Sequence, residues 1–259
     1  MPMEGMFRFA MTDRSLLFDT RRRWHAAKHL SDLALWFLHL IGYYVLLRRP
    51  GTRLIHIAGF RLTIRPTVYD PRFYRAPAFF AEFIGGLNLS GKVVADLFTG
   101  SGIQALAAGR AGAARVFAID VNPIAAVTAA ENARNNGLAD QVVVLASDLL
   151  SAIAAEPRFD VILANPPFCE GEAWDVADRA WQAGPAYRDI ISLFDQAYRR
   201  LTPNGVMYMV NSSYADLTLL EELITQAGFR VKVASRREVF METMIIYELR
   251  PTAVDRQAA

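Results

Sequence analysis

From Ala78 onward the sequence repeats one rhythm, in which a short and almost wholly apolar run is followed by a stretch of helical pattern and then by another apolar run. The runs are Lys92–Asp96, Arg115–Asp120, Gln141–Ala146, Phe159–Ala164 and Val206–Val210. A strand that is apolar at nearly every position is buried on both faces, so its sheet has to be sandwiched between helices, as parallel sheets are. The helix boundaries are punctuated to match. Asn122 can cap a helix that begins at Pro123, where a missing N–H costs nothing, and Gly137 ends it after Asn136. Other helical patterns cover Gly102–Gly109, Tyr187–Leu201 and Asp216–Ala227, the last closed by Gly228. Two final strands, near Arg230–Ser235 and Thr243–Leu249, are joined by too short a stretch for a crossover helix and are expected to pair antiparallel. The expectation is a doubly wound α/β fold with a mostly parallel, seven-stranded sheet.

The chain upstream has a different character. Residues 13–48 read as helical, with Ser31 or Asp32 available as a cap and Pro50-Gly51 as a stop. Arg53–Ile64 reads as a β-hairpin turning near Ala58-Gly59, and Arg65–Pro77 as a connector rich in proline and aromatics. The boundary is expected between residues 77 and 78. Residues 1–75 hold 13 Lys+Arg against 5 Asp+Glu, a net +8, which leaves net −6 for the remainder of a chain whose total is +2. Such asymmetry suits nucleic acid, an anionic membrane, or docking onto the chain's own acidic half. The apolar run Leu33–Leu47, closed by Arg48 and Arg49, falls short of the roughly 20 residues that span a bilayer. A buried or interfacial helix is the preferred reading, with a membrane-surface anchor or a lid as the sharper alternatives. Arg8, Asp13 and Arg14 interrupt any secretory apolar run, and the single cysteine, Cys169, excludes an intrachain disulfide and a cysteine zinc cluster. A cytoplasmic setting is expected.

In a sheet of this kind ligands bind beyond the carboxyl ends of the strands, and the informative residues fall there. The first strand ends in Asp96-Leu97-Phe98-Thr99-Gly100-Ser101-Gly102, where Gly100 and Gly102 let a backbone turn approach a ligand closely. The second ends at Asp120, placed to accept ribose hydroxyls, and the third at Asp148, followed by Leu149, placed to accept from an adenine amino group beside an apolar wall. Any one of these aspartates could be a helix cap; capping explains the set poorly. Gly100-Ser101-Gly102-Ile103-Gln104-Ala105 also fits a dinucleotide fingerprint, so a nicotinamide-dependent oxidoreductase has to be weighed.

The fourth strand argues against that alternative. It runs straight into Asn165-Pro166-Pro167-Phe168, where each residue before a proline is held extended and neither proline has an N–H. The Asn165 side-chain oxygen and the Pro166 carbonyl then form two fixed acceptors matched to the two hydrogens of a planar –NH2, with Phe168 able to stack on its face. All four histidines, His25, His29, His39 and His56, precede this region, and Gly-x-Ser-x-Gly is absent, so histidine-based hydrolase and metalloenzyme chemistry is not expected. No metal is expected.

Ala95–Ala105, Ala118–Pro123, Glu131-Asn132-Ala133, Ser147-Asp148 and Asn165–Phe168 together resemble the class I S-adenosylmethionine-dependent methyltransferases, which have a Rossmann-like fold. The HemK-like branch, with its protein-glutamine and adenine amino-methylating members, is the most similar. The resemblance continues through Asp178-Arg179-Ala180 and Glu242–Ile246 and covers roughly residues 65–250. Phe98 departs from it, standing where many members have a glycine.

The resemblance implies S-adenosylmethionine as cofactor. Asp96, Gly100, Ser101 and Gly102 would surround its aminocarboxypropyl part, Asp120 its ribose, and Asp148 with Leu149 its adenine. Asn165, Pro166 and Phe168 would form the catalytic acceptor site. Residues 78–259 would be the cofactor-binding catalytic domain, and 1–77 a helical lid or substrate-recognition segment carrying the hairpin. Three acceptor readings stay open: a protein glutamine as the first guess, an adenine of RNA or DNA, and a small molecule (including non-methylating chemistry on the cofactor); a binding module without activity is the alternative outside the enzymes.

Overall fold

The computed structural model describes residues 39–154, 158–239 and 242–252. The chain divides into two compact units, Met1–Val45 and Leu46–Ala259. Of the first, only residues 39–45 are described, and there the rings of Tyr43 and Tyr44 meet edge to face at 5.1 Å. The expected caps at Ser31 and Asp32, and His25 and His29, lie outside the described residues. Among the described residues no helix is long and apolar enough to cross a membrane.

The second unit opens with the expected hairpin, β1 (Arg53–Ile57) and β2 (Phe60–Ile64), turning at Ala58-Gly59. Next come α1 (Ala76–Gly85), β3 (Val93–Leu97), α2 (Ile103–Arg110), β4 (Arg115–Asp120), α3 (Pro123–Asn135), β5 (Val142–Ala146) and β6 (Phe159–Ala164). The remainder is α4 (Ile191–Arg200), β7 (Leu201–Ser212), α5 (Leu217–Gln226), β8 (Phe229–Val239) and β9 (Glu242–Pro251). Asn122 caps α3 as expected, accepting the Ile124 N–H at 2.9 Å, and Asp216 caps α5 through Leu219 at 3.0 Å.

The seven strands are ordered β5-β4-β3-β6-β7-β9-β8, parallel except at β9, which runs antiparallel to both neighbours. Two cores form because successive side chains of the all-apolar strands point to opposite faces. On one face Val94, Val116 and Leu163 pack with α1, α2, α3 and the hairpin; on the other Ala95, Ile119 and Ile162 pack with α4 and α5.

Two features differ from the sequence reading. α1 begins at Ala76, inside the stretch read as connector, because a proline in the first turn (Pro77) is compatible with a helix. The hairpin, grouped by sequence with the N-terminal segment, lies in the same unit as the sheet. Phe60, Leu62 and Ile64 of β2 are buried in the first core. Its outer edge is closed by side chains of α3 and of its C-cap: Asn132 accepts the Thr63 N–H and donates to the Thr63 carbonyl at 2.9 Å, and the C-cap Asn136 does the same for Arg61 at 3.1 and 2.8 Å.

The order reverses between β3 and β6, since the chain moves outward from β3 through β4 to β5 and then returns to β6. Helices leaving the two strands depart to different faces there, which opens a crevice above their carboxyl ends.

Candidate active site

The crevice is lined by Gly100 and Ser101 from the turn after β3, Asp120 at the end of β4, Asp148 and Leu149 after β5, and Asn165, Pro166 and Phe168 after β6. Sequence reasoning placed all of these at strand ends, and the parallel register brings them together: Leu97 pairs with Ala164 and with Ile119, so the three loops begin level with one another. Asp96 and Gly102 do not line the crevice. They build the turn beneath it.

Asp96 is almost fully buried, and its Oδ2 accepts from the Thr99 hydroxyl and from the Ala105 N–H at 3.0 Å, while Oδ1 has no partner among the described residues. Burial pushes its carboxyl up to about 7, against the pull of those two hydrogen bonds and with help from nearby Asp120. Gly102 has a φ of +84°, and a Cβ there would stand 3.1 Å from Ala129 of α3, so the turn requires glycine on both counts. Phe98, the departure noted above, has a φ of +61°. That is a left-handed backbone, which glycine adopts freely and which is here imposed on a bulky side chain.

Asp120 holds the turn from the neighbouring strand. Its Oδ2 accepts the Gly100 N–H at 2.8 Å and its Oδ1 the Asn122 N–H at 2.9 Å. Burial raises its pKa, and the two backbone donors and then Arg179 pull it back. Each oxygen has accepted one bond and keeps a lone pair, so the carboxylate still offers two acceptors. Asp148 is exposed at the crevice rim, whereas Leu149 is buried, with a φ of +50°. A paired acceptor edge beside an apolar wall and an open glycine turn fits a nucleoside carrying a cationic tail.

At the other end, Pro166 and Pro167 are buried and Asn165 and Phe168 are half-buried. The side chain of Asn165 makes no hydrogen bond among the described residues, so its carbonyl is available to a ligand. Cys169 follows at once, anchored through backbone bonds with Trp181 and Ala183, and burial, then Asp178, pushes its thiol up to about 11. A thiol held protonated is a poor nucleophile.

Residues 81–166 match the family model described as ribosomal protein L11 methyltransferase (PrmA). A protein of Methanocaldococcus jannaschii that carries the provisional name protein N5-glutamine methyltransferase is 28% identical over 199 residues, 74% of this chain and 97% of that protein. A solved 16S rRNA N2 G1207 methyltransferase of T. thermophilus, in complex with AdoMet and guanosine, is 25% identical with a TM-score of 0.55, over 77% of this chain and 50% of that one.

The chain is a class I S-adenosylmethionine-dependent methyltransferase.

This methyltransferase also resembles, in fold, a ribosomal protein L11 methylase of Lactobacillus delbrueckii subsp. bulgaricus, with a TM-score of 0.51 at 21% identity over 71% of this chain and 82% of that one. It is 43% identical to the L11 methyltransferase of Aliivibrio fischeri over 86 residues, but that match spans only 29% of the relative. The family model likewise covers only residues 81–166, from within α1 to the loop after β6. Among the described residues no three His, Cys, Asp or Glu side chains are grouped as metal ligands.

Two crevice residues of the methyltransferase escaped the sequence reading, and a third, Arg179, entered it only within a resembling motif. Tyr69 stacks on Tyr74 at 4.1 Å in the connector; Arg179 contributes to the charge around Asp120; Asn211 follows the apolar run of β7. Asn211 had a usable signal, being the first polar residue after the apolar run Val206–Val210, at the same strand-end level as the aspartates. Tyr69 had none, because its loop is placed by tertiary contacts, including the Asn122 side chain donating to the Thr67 carbonyl at 3.0 Å.

Proposed function

We propose that the enzyme methylates the nitrogen of a primary amide, a protein glutamine side chain, held by Asn165, Pro166 and Phe168. The observation that carries this reading is the proline-stiffened corner in which an unengaged Asn165 amide stands next to a carbonyl that no N–H of regular structure uses. The name of the M. jannaschii relative supports it.

Asp120 would hold the cofactor's ribose hydroxyls, Asp148 and Leu149 its adenine, and Gly100 with Ser101 its aminocarboxypropyl part. When bound, S-adenosylmethionine supplies a methyl group activated by its positive sulfur. The protein's part is alignment. Asn165 Oδ1 and the Pro166 carbonyl accept the two N–H hydrogens, which enriches the nitrogen and fixes the plane of the amide, so that its reactive face is turned to the methyl. Phe168 covers the opposite face. No general base is needed before transfer, because the nitrogen sheds its extra proton readily once methylated.

A second reading, the exocyclic amine of a nucleic-acid base, is favoured by the aromatic Tyr69 in the same crevice, which suits a flat ring. Incubation with methyl-labelled S-adenosylmethionine and separate protein and RNA pools tests both. Label in protein, recovered as N5-methylglutamine and abolished by Asn165→Ala with cofactor affinity retained, is the expected result. Label in RNA alone replaces the first reading with the second, and methylthioadenosine in place of S-adenosylhomocysteine removes methyl transfer to either.

A further inference from the structure

The carboxyl end of β7 carries two adjacent polar side chains with opposite fates. Ser212 is engaged: its hydroxyl donates to Glu242 Oε1 at 2.7 Å and accepts the Tyr214 N–H at 3.2 Å. Asn211 is only 3% exposed, it lines the crevice, and its Nδ2 has no hydrogen-bond partner among the described residues. A buried NH2 left without an acceptor is costly, and evolution seldom retains one without a ligand to satisfy it.

Its position relative to the acceptor corner follows from the register. Ala164 of β6 pairs with Met209 of β7. Asn165, one residue on, is level with Val210, and Asn211 stands one residue beyond, on a strand about 4.8 Å away. The crevice therefore offers two acceptors, Asn165 Oδ1 and the Pro166 carbonyl, and beside them one buried, unused donor. A primary amide presents the complementary set, with two hydrogens on nitrogen and one acceptor oxygen on the adjoining carbon.

We infer that Asn211 is a specificity-determining residue whose Nδ2 donates to the carbonyl oxygen of the amide being methylated. The inference rests on the amide reading above and deepens it. The orientation of an asparagine amide is set by its partners, and the reversed orientation would add a third acceptor where the substrate's NH2 has no hydrogen left to give. The bond also restrains the amide about the axis that the corner leaves free, so that the site reads both ends of the group. An aliphatic amine fills the corner but leaves Asn211 unpaired, which is the kind of mismatch by which polar sites reject analogues strongly.

The test uses the full chain with labelled cofactor and two probes: a pentapeptide with one glutamine, capped so that no other primary amide is present, and an adenine-containing oligoribonucleotide. Asn211→Leu is expected to lower kcat/KM for the peptide by about 10- to 100-fold, mostly through KM, with the Kd for S-adenosylmethionine within twofold of the parent. Asn211→Asp, nearly isosteric but unable to donate when ionised, should fall at least as far, and Asn211→Thr, which restores a donor, should recover part of the loss. An unchanged KM in Asn211→Leu overturns the inference while the amide reading stands. Parallel loss of cofactor affinity in both Asn211→Leu and Asn211→Asp overturns it in favour of a structural role. A parent enzyme that methylates only the oligoribonucleotide, or neither probe, overturns the amide reading and this inference with it.

Discussion

The carboxylate of Asp120, at the end of β4, accepts the backbone N–H of Gly100 at 2.8 Å, so the residue proposed to grip the ribose also fixes the turn that borders it. Removing it should therefore act twice. Asp120→Ala is expected to weaken S-adenosylmethionine binding by about 10- to 100-fold, the scale of losing charge-assisted hydrogen bonds. Asp120→Asn, which keeps one acceptor oxygen, should lose less. Isothermal titration calorimetry of both variants checks the order.

The buried carboxyl of Asp96 gives a pH dependence with a definite sign. Its pKa in the folded protein is raised to about 7, above the ordinary carboxylate value it has when unfolded. The folded state therefore holds the proton more tightly, and its contribution to stability is fully present below about pH 4 and is lost as pH rises through about 7. Asp120, also raised, contributes in the same direction. Urea unfolding of the cofactor-free protein between pH 5 and 8 should show this loss, and Asp96→Asn should flatten the slope. A slope unchanged by that substitution would assign the dependence to other groups.

Asn132 is fully buried and makes three hydrogen bonds, accepting from the Thr63 N–H and donating to the carbonyls of Thr63 and Ser101. Asn132→Leu leaves three backbone groups unpaired and should cost about 2–4 kcal/mol in denaturant unfolding. Because Ser101 belongs to the cofactor turn, affinity for S-adenosylmethionine should fall in the same variant. Asn136→Ala, made on the same face but touching only Arg61 and Asn132, should leave affinity unchanged.

Phe98 allows backbone strain to be separated from packing. Alanine at this position loses the ring and keeps the left-handed backbone, whereas glycine loses the ring and relieves the backbone. Phe98→Gly is expected to be more stable than Phe98→Ala by about 1 kcal/mol, measured by chemical denaturation. Equal stabilities would mean that the turn relaxes when the ring is gone.

The residues legible in the sequence were those whose role is local. Strand-end aspartates, a glycine that must have positive φ and a proline that stiffens its neighbour declare themselves through their immediate surroundings, and the parallel register then carries Gly100, Asp120, Asp148 and Asn165 to one crevice without further information. The capping of α3 by Asn122 was equally readable. What was not readable depends on parts of the chain far apart in sequence. Asn132 was noticed only as part of a resembling motif, because nothing near it announces that Thr63, 69 residues away, supplies its partners. The packing of the hairpin was unreadable for the same reason: its composition resembles its sequence neighbours, while its buried face, Phe60, Leu62 and Ile64, belongs to the sheet's first core.

The two amides that close the edge of β2 sit four residues apart on a helix, an advance of about 6 Å, and meet backbone groups two residues apart on a strand, an advance of nearly 7 Å. The near match makes α3 a ruler for the hairpin. A slip of β2 by one residue would set both amides against residues whose N–H and C=O point toward β1, and a slip by two would strand one of them, so only a single alignment satisfies the pair. Since the same helix starts at Asn122, beside the carboxylate of β4, the gauge that sets the hairpin is rigidly continuous with the wall of the crevice.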